Sequence, residues 1–242
     1  MKSLRTLPLL VLLTGATMCT SAFAGKPSTD VWPKPQNVDI IGIAEFPAHH
    51  LSLSSVKNFP VLVEALKSQN LKPKGKLKIK TITGEAAEST LKRAKVEAVE
   101  GAYLLEITSK GILITAANDT GVYYATQTLA QMIETDGKLV GCKVADWPDT
   151  AFRGSIEGFY GKPWEHARRL SQISFYGKYK MNAYIYGPKD DPYSGFNSGH
   201  WRDEYPAEQA KQIGELATVA KANHVNFIWA MHPGSSIRWD DK

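Results

Sequence analysis

The chain has 242 residues, 43% of them hydrophobic and 10% aromatic, which supports a buried core and excludes a low-complexity or charged disordered polypeptide. That length suits one or two domains and excludes a large multidomain assembly. The formal charge of +5 is a mild excess and is spread along the chain, so it argues against a nucleic-acid partner.

Residues 1–24 read as a secretory signal peptide. Lys2 and Arg5 precede the apolar run Leu7 to Leu13, and Ala22-Phe23-Ala24 is a small-x-small cleavage site. The run is far shorter than the roughly 20 residues that span a bilayer, and no later stretch approaches that length. The expected product is exported, periplasmic or secreted, with no membrane span. The residues before Cys19 lack the small-residue pattern of a lipid-modified cysteine. Cleavage after Ala24 removes Lys2 and Arg5 but no acid, so the charge falls from +5 to +3. Cys142 is then the one remaining cysteine, which rules out an intramolecular disulfide and leaves stability to packing.

Residues 25–150 read as an N-terminal α/β sandwich domain. Phe59, Leu62, Val63 and Leu66 recur at helical spacing, and Gly75 to Thr83 reads as a strand. Lys72, Lys74, Lys76, Lys78 and Lys80 alternate at strand spacing. They read as the solvated side of an edge strand, where lysines discourage edge-to-edge pairing; a polyanion-binding surface is the competing reading. Glu85 to Lys95 suits a polar helix. Tyr103 to Ile107 and Ile112 to Ala116, joined by Ser109-Lys110-Gly111, form a hairpin. Asn118-Asp119-Thr120-Gly121 reads as a turn, and Val122 to Ile133 as an amphipathic helix packing on the sheet. Asp146-Trp147-Pro148 closes the domain, because the residue before proline is pushed towards extended backbone.

Residues 151–242 change rhythm. Phe152 to Phe159 reads as a strand, Glu165 to Tyr179 as a helix, Asn182 to Tyr186 as a strand, Ala207 to Asn223 as a helix and Val225 to Met231 as a strand. This βαβαβ order predicts parallel strands with right-handed crossovers. A (β/α)8 barrel takes about 250 residues, so the stretch is expected to be the first three strands of a TIM barrel, truncated. In such folds the loops leaving the strands' carboxyl ends carry the chemistry. Here they are Gly161-Lys162-Pro163-Trp164, Gly187-Pro188-Lys189-Asp190-Asp191 and His232-Pro233-Gly234.

Several sites are not encoded. The sequence has no G-x-S-x-G elbow, P-loop or G-x-G-x-x-G, and its six histidines lack metal-ligand spacing, so neither a metal nor a cofactor is expected. The first of the three loops opens on Gly158-Phe159-Tyr160-Gly161. Glycine lets a ligand approach the backbone, and aromatic faces suit sugar C–H surfaces, but the same residues also read as a turn with its aromatics in the core. In the second loop, Lys189 could serve hydroxyl groups and Asp190-Asp191 acid/base work. A Lys–Asp pair capping a strand is the alternative, and neighbouring carboxylates in extended chain point different ways.

Arg153-Gly154-x-Ile156-Glu157-Gly158-Phe159-Tyr160-Gly161-x-Pro163-Trp164, then Asn182-x-Tyr184-x-Tyr186-x-Pro188-Lys189-Asp190-Asp191 and Trp201-Arg202, resemble the start of the catalytic barrel of glycoside hydrolase family 84. These are β-N-acetylglucosaminidases, known as O-GlcNAcases and sometimes described as hyaluronidases. Upstream, Asn118-Asp119-Thr120-Gly121 with Tyr124-x-x-Gln127-Thr128-Leu129 is similar to the α/β domain preceding hexosaminidase barrels, a motif shared with family 20. The resemblance implies a retaining mechanism in which the substrate's 2-acetamido oxygen is the nucleophile. It implies that the Gly158 carbonyl accepts a sugar hydroxyl, that Tyr160 lines the acetamido pocket, and that Lys189 binds sugar hydroxyls of N-acetylglucosamine-containing glycans. The family's consecutive Asp-Asp pair follows the fourth barrel strand and is expected beyond Lys242, so no catalytic residue is assigned and the polypeptide alone is expected to be inactive. Asp190-Asp191 and Asp240-Asp241 are not that pair. The alternative is a non-catalytic carbohydrate-binding module in which Phe159, Tyr160, Trp164 and Trp201 form a stacking surface. The oligomeric state is not legible.

Overall fold

A computed structural model describes residues 29–193, 200, 203–230 and 240. The signal peptide, Trp201-Arg202, His232-Pro233-Gly234 and Asp241 lie outside the described residues. The chain forms β1 (Asn37–Pro47), α1 (Leu53–Val56), α2 (Pro60–Ser68), β2 (Ile79–Ile82), α3 (Glu85–Arg93), β3 (Tyr103–Thr108), β4 (Gly111–Ala116), α4 (Asp119–Asp136) and β5 (Lys138–Asp146). After a linker come β6 (Gly154–Glu157), α5 (His166–Lys178), β7 (Ala183–Tyr186), α6 (Ala207–Ala222) and β8 (Asn226–Trp229). The mixed α/β class expected from the sequence holds.

The first five strands form one sheet in the order β1-β5-β3-β4-β2. β3 and β4 are the expected hairpin, with Thr108 opposite Gly111, and β2 runs parallel to β4 at the edge. The strand is shorter than the expected Gly75–Thr83: all five alternating lysines are exposed, but only Lys80 lies in β2 while Lys72, Lys74, Lys76 and Lys78 precede it, so the edge-strand reading holds for Lys80 alone. α2 and α4 cover one face, where Leu62, Leu66, Leu129 and Ile133 meet Leu105, Ile107, Ile114 and Val144. α3 covers the other, bringing Ala87 and Leu91 onto Leu104 and Ala145.

Two strands were not anticipated. β5 lies between β1 and β3 and is buried on both faces along most of its length, so it lacks the polar–apolar alternation that marks a half-buried strand. β1 changes register against β5 between Ile40 and Glu45, which breaks its period. The stretch Asn118 to Gly121 is not a free turn: Asn118 caps α4, its side chain accepting from the Gly121 amide at 3.0 Å.

The last three strands make a parallel sheet, order β6-β7-β8, with a core of Ile173, Tyr176, Tyr184, Leu216 and Val225 between sheet and helices. This second unit docks on α4, which is why Tyr124 to Ile133 is buried without a break. Lys178 pairs with Glu134 at 2.6 Å, and Tyr123 donates to Asn223 at 3.1 Å and stacks on His224 at 4.5 Å. Lys180 is buried and donates to Asp146 at 2.8 Å and to the Tyr103 hydroxyl at 2.9 Å. Burial lowers the Lys180 pKa and raises that of Tyr103. Arg153, at the start of the second unit, donates to the Tyr124 hydroxyl at 3.1 Å.

Candidate functional site

The parallel ladder of β6 and β7 continues beyond the strands. The Gly187 amide donates to the Glu157 carbonyl and the Lys189 amide to the Phe159 carbonyl, each at 3.1 Å. Peptide groups alternate along such a ladder, so the Gly158 carbonyl between those two acceptors faces away from β7. Among the described residues that carbonyl accepts no hydrogen bond. A Cβ on Gly158 would come within 2.9 Å of Ile156 Cγ2, closer than side chains pack, so glycine suits the position. Gly161 has φ +97°, which favours glycine, and its amide donates to Asp190 Oδ2 at 2.7 Å. The two loops are therefore bonded to each other on both sides of Gly158.

Gly158, Tyr160 and Lys189 lie in these joined loops. Tyr160 is 68% exposed, and Phe159 and Trp164 are each more than a third exposed, so the reading that buried these aromatics in the core does not hold, although the turn at Gly161 does. Phe159 and Trp164 contact each other, with ring centroids 5.5 Å apart. Among the described residues the Lys189 ammonium has no hydrogen-bond or ion-pair partner. It does not cap the strand through an aspartate.

The neighbouring carboxylates separate. Asp190 turns to the Gly161 amide, whereas Asp191 is buried and accepts from the Tyr186 hydroxyl at 2.6 Å, the Tyr193 amide at 2.8 Å and the Tyr205 hydroxyl at 3.2 Å. Burial, followed by the bond to Asp191, raises the Tyr186 pKa far above its usual value. Asp190 and Asp191 therefore share no site where one carboxyl could orient a substrate while the other protonates it.

Sequence reasoning passed over Glu157. Its side chain is fully buried, and Arg169 of α5 forks onto it with two bonds of 2.8 Å. The Tyr184 hydroxyl donates a short hydrogen bond to Glu157, and the Trp164 amide donates at 3.0 Å. Burial and then the Glu157 bond raise the Tyr184 pKa strongly. A usable signal was present: Arg169 shares one helix face with Ile173 and Tyr176, both buried, and a cation on such a face needs a carboxylate.

Two cavities are relevant. One of about 450 Å³ lies beside the second loop, lined by Tyr193, Asp203, Glu204, Tyr205, Ile213 and Trp229. Another of about 670 Å³ lies between α2, α4 and the ends of α5 and α6, away from the strands' carboxyl ends. Position favours the joined loops over the larger volume, because ligands of parallel α/β sheets bind where the strands end.

A family model described as beta-N-acetylglucosaminidase matches residues 153–242, and one described as glycosyl hydrolase family 20, domain 2, matches residues 28–147. Protein O-GlcNAcase of Rattus norvegicus and that of Mus musculus are each 36% identical over 88 residues, which is 36% of this chain and 9% of each relative. The solved structure of CpGH84B superposes with a TM-score of 0.71 at 28% identity, over 89% of this chain and 39% of that one. A family 20 exo-β-N-acetylglucosaminidase from Vibrio harveyi, at 17% identity with a TM-score of 0.54, shares the fold over 82% of this chain and 35% of its own. The chain thus spans well under half the length of the relatives it matches. In the order of its two units, in its sequence and in its fold, it resembles the N-terminal portion of a family 84 glycoside hydrolase.

Proposed function

We propose that this chain carries the N-acetylglucosamine-binding loops of a retaining β-N-acetylglucosaminidase, and that β6, β7 and β8 open a (β/α)8 barrel. In this reading the Gly158 carbonyl accepts a sugar hydroxyl, Lys189 donates to sugar hydroxyl oxygens, and Tyr160 walls the acetamido group. The acetamido oxygen then attacks the anomeric carbon and the leaving oxygen departs with a proton. An oxazoline-type intermediate forms and is opened by water with net retention. One observation carries the reading: the Lys189 amide is bonded to Phe159 and the Gly161 amide to Asp190, which joins the loop of Gly158 to the loop of Lys189, and among the described residues neither the Gly158 carbonyl nor the Lys189 ammonium has a partner. The proton-handling pair is not assigned to Asp190 and Asp191, whose side chains are separately engaged.

Titration of the 242-residue protein with N-acetylglucosamine, followed by amide NMR, tests the reading. Weak shifts in this polypeptide that strengthen at Gly158–Gly161 and Lys189 once further barrel sequence is supplied, and are lost in Lys189→Ala, support it; no shift there in the extended chain overturns it. No turnover of a chromogenic N-acetyl-β-glucosaminide is expected from this polypeptide, because general acid–base help alone contributes about 10²- to 10⁴-fold. Turnover abolished by Asp190→Asn would restore that carboxylate to the chemistry. Tight binding without any turnover, even when further barrel sequence is supplied, would favour the carbohydrate-binding module instead.

Export is part of the proposal, resting on Lys2, Arg5, Leu7 to Leu13 and Ala22-Phe23-Ala24. N-terminal sequencing of protein recovered outside the cytoplasm is expected to begin at Gly25, and a retained Met1 would refute it.

A further inference from the structure

The buried groups behind the two loops form one continuous chain. The Trp164 amide, in the first loop, donates to Glu157. Glu157 takes both forks of Arg169, whose guanidinium lies over the Tyr186 ring, 4.8 Å from its centroid. The Tyr186 hydroxyl donates to Asp191 at 2.6 Å, and Asp191 receives the Tyr193 amide of the second loop at 2.8 Å. Tyr205, which also reaches Asp191, accepts from the Trp229 indole at the end of β8 at 3.3 Å. Elements that end β6, β7 and β8 are therefore tied beneath the surface by Glu157, Arg169, Tyr186 and Asp191, all buried.

Burying two carboxylates and a guanidinium is costly unless each is paired and fully hydrogen-bonded. Here the geometry is forked and stacked, which a lysine at position 169 could not reproduce. Ordinary packing would not need charges placed between the two loops; a fixed relation between Gly158 and Lys189 would benefit from them, since groups held in low dielectric resist displacement.

We propose that Glu157, Arg169, Tyr186 and Asp191 are positioning residues that couple the Gly158–Trp164 loop to the Gly187–Tyr193 loop, so that neither sugar-facing loop moves alone. The coupling gains its purpose from the sugar assignment above, but the two are tested separately. Hydrogen–deuterium exchange of the 242-residue protein is measured for wild type and Tyr186→Phe, which keeps the ring under Arg169 and removes one bond to Asp191. Exchange is expected to rise about tenfold in 187–193, the loss of one hydrogen bond to a charged group, and to rise also in 158–164, with the amides of β3 and β5 unchanged. Faster exchange in 187–193 alone overturns the coupling, as does uniform loosening of the whole chain. Arg169→Lys, which keeps the charge without the fork, is expected to loosen both loops; a change confined to one counts against the proposal. If Arg169→Lys fails to fold, Tyr186→Phe decides alone. Failure of the chain extended by further barrel sequence to bind N-acetylglucosamine would remove the sugar assignment and leave the exchange result standing.

Discussion

The two sheets solve burial in opposite ways. The five-stranded sheet is covered on both faces by helices, and its interior is built mainly from Leu, Ile, Val and Ala, with one buried ion pair, Lys180 with Asp146, at the end of β5. Among the described residues the three-stranded sheet has helices on one face only. Ile156 of β6 is 62% exposed on the other, while charged groups sit on the covered side at the strand ends. The first unit stores most of its stability in apolar contact; the second places a cluster of buried ions where the loops leave the sheet. Buried charges add little net stability compared with apolar groups of equal volume, so their concentration beside Gly158 and Lys189 points to the shape of the loops as what they maintain.

The sharpest way to break this contrast is to remove one partner of the ionic cluster. Glu157→Ala leaves Arg169 buried without its carboxylate and is expected to cost about 3–5 kcal/mol in urea unfolding followed through the second unit. A cost near zero would show that the guanidinium escapes to water and that the cluster is dispensable. The matching change in the first unit is Leu105→Ala, in a residue with no exposed surface. It opens a cavity in apolar packing at an expected cost of about 3 kcal/mol, with no change in loop exchange at 158–164 or 187–193. Accelerated exchange in those loops would erase the distinction between the units.

The interface between the units is expected to respond to acid. Burial lowers the His224 pKa below its usual 6.5. The unfolded chain therefore takes up a proton near 6.5 that the folded chain refuses, and stability that is complete above that pH falls as pH drops below it towards the folded value. His224 has φ +54°, a conformation asparagine tolerates, so His224→Asn is expected to flatten the acid side of a melting-temperature profile. An unchanged slope would show that the stack on Tyr123 does not set the proton affinity. The smallest effect on stability is expected at the edge: Lys78→Val with Lys80→Val should leave the unfolding midpoint in place and raise light scattering, because the exposed strand loses its charges. A double variant that scatters no more light than wild type would show that β2 is protected by something other than lysine.

The local elements and their order were legible along the chain. Apolar spacing placed α2 and the body of α4, and runs of strand and helix character placed the β3–β4 hairpin and the alternation after residue 150. Glycine and proline after each strand marked the loops that carry Gly158 and Lys189. These features depend on a few neighbouring residues, so they are legible along the chain. Whatever depends on distant partners emerged only on packing. It added β5, which cannot alternate because both of its faces are buried, and it showed that Asp190 and Asp191, adjacent in the chain, serve different groups. It also paired Glu157 with Arg169 across 12 positions and drew Lys180 to Asp146 across 34. A side chain's charge is written in the sequence, but the low-dielectric surroundings and opposing ion that give the charge its effect arise only when strands and helices are packed together.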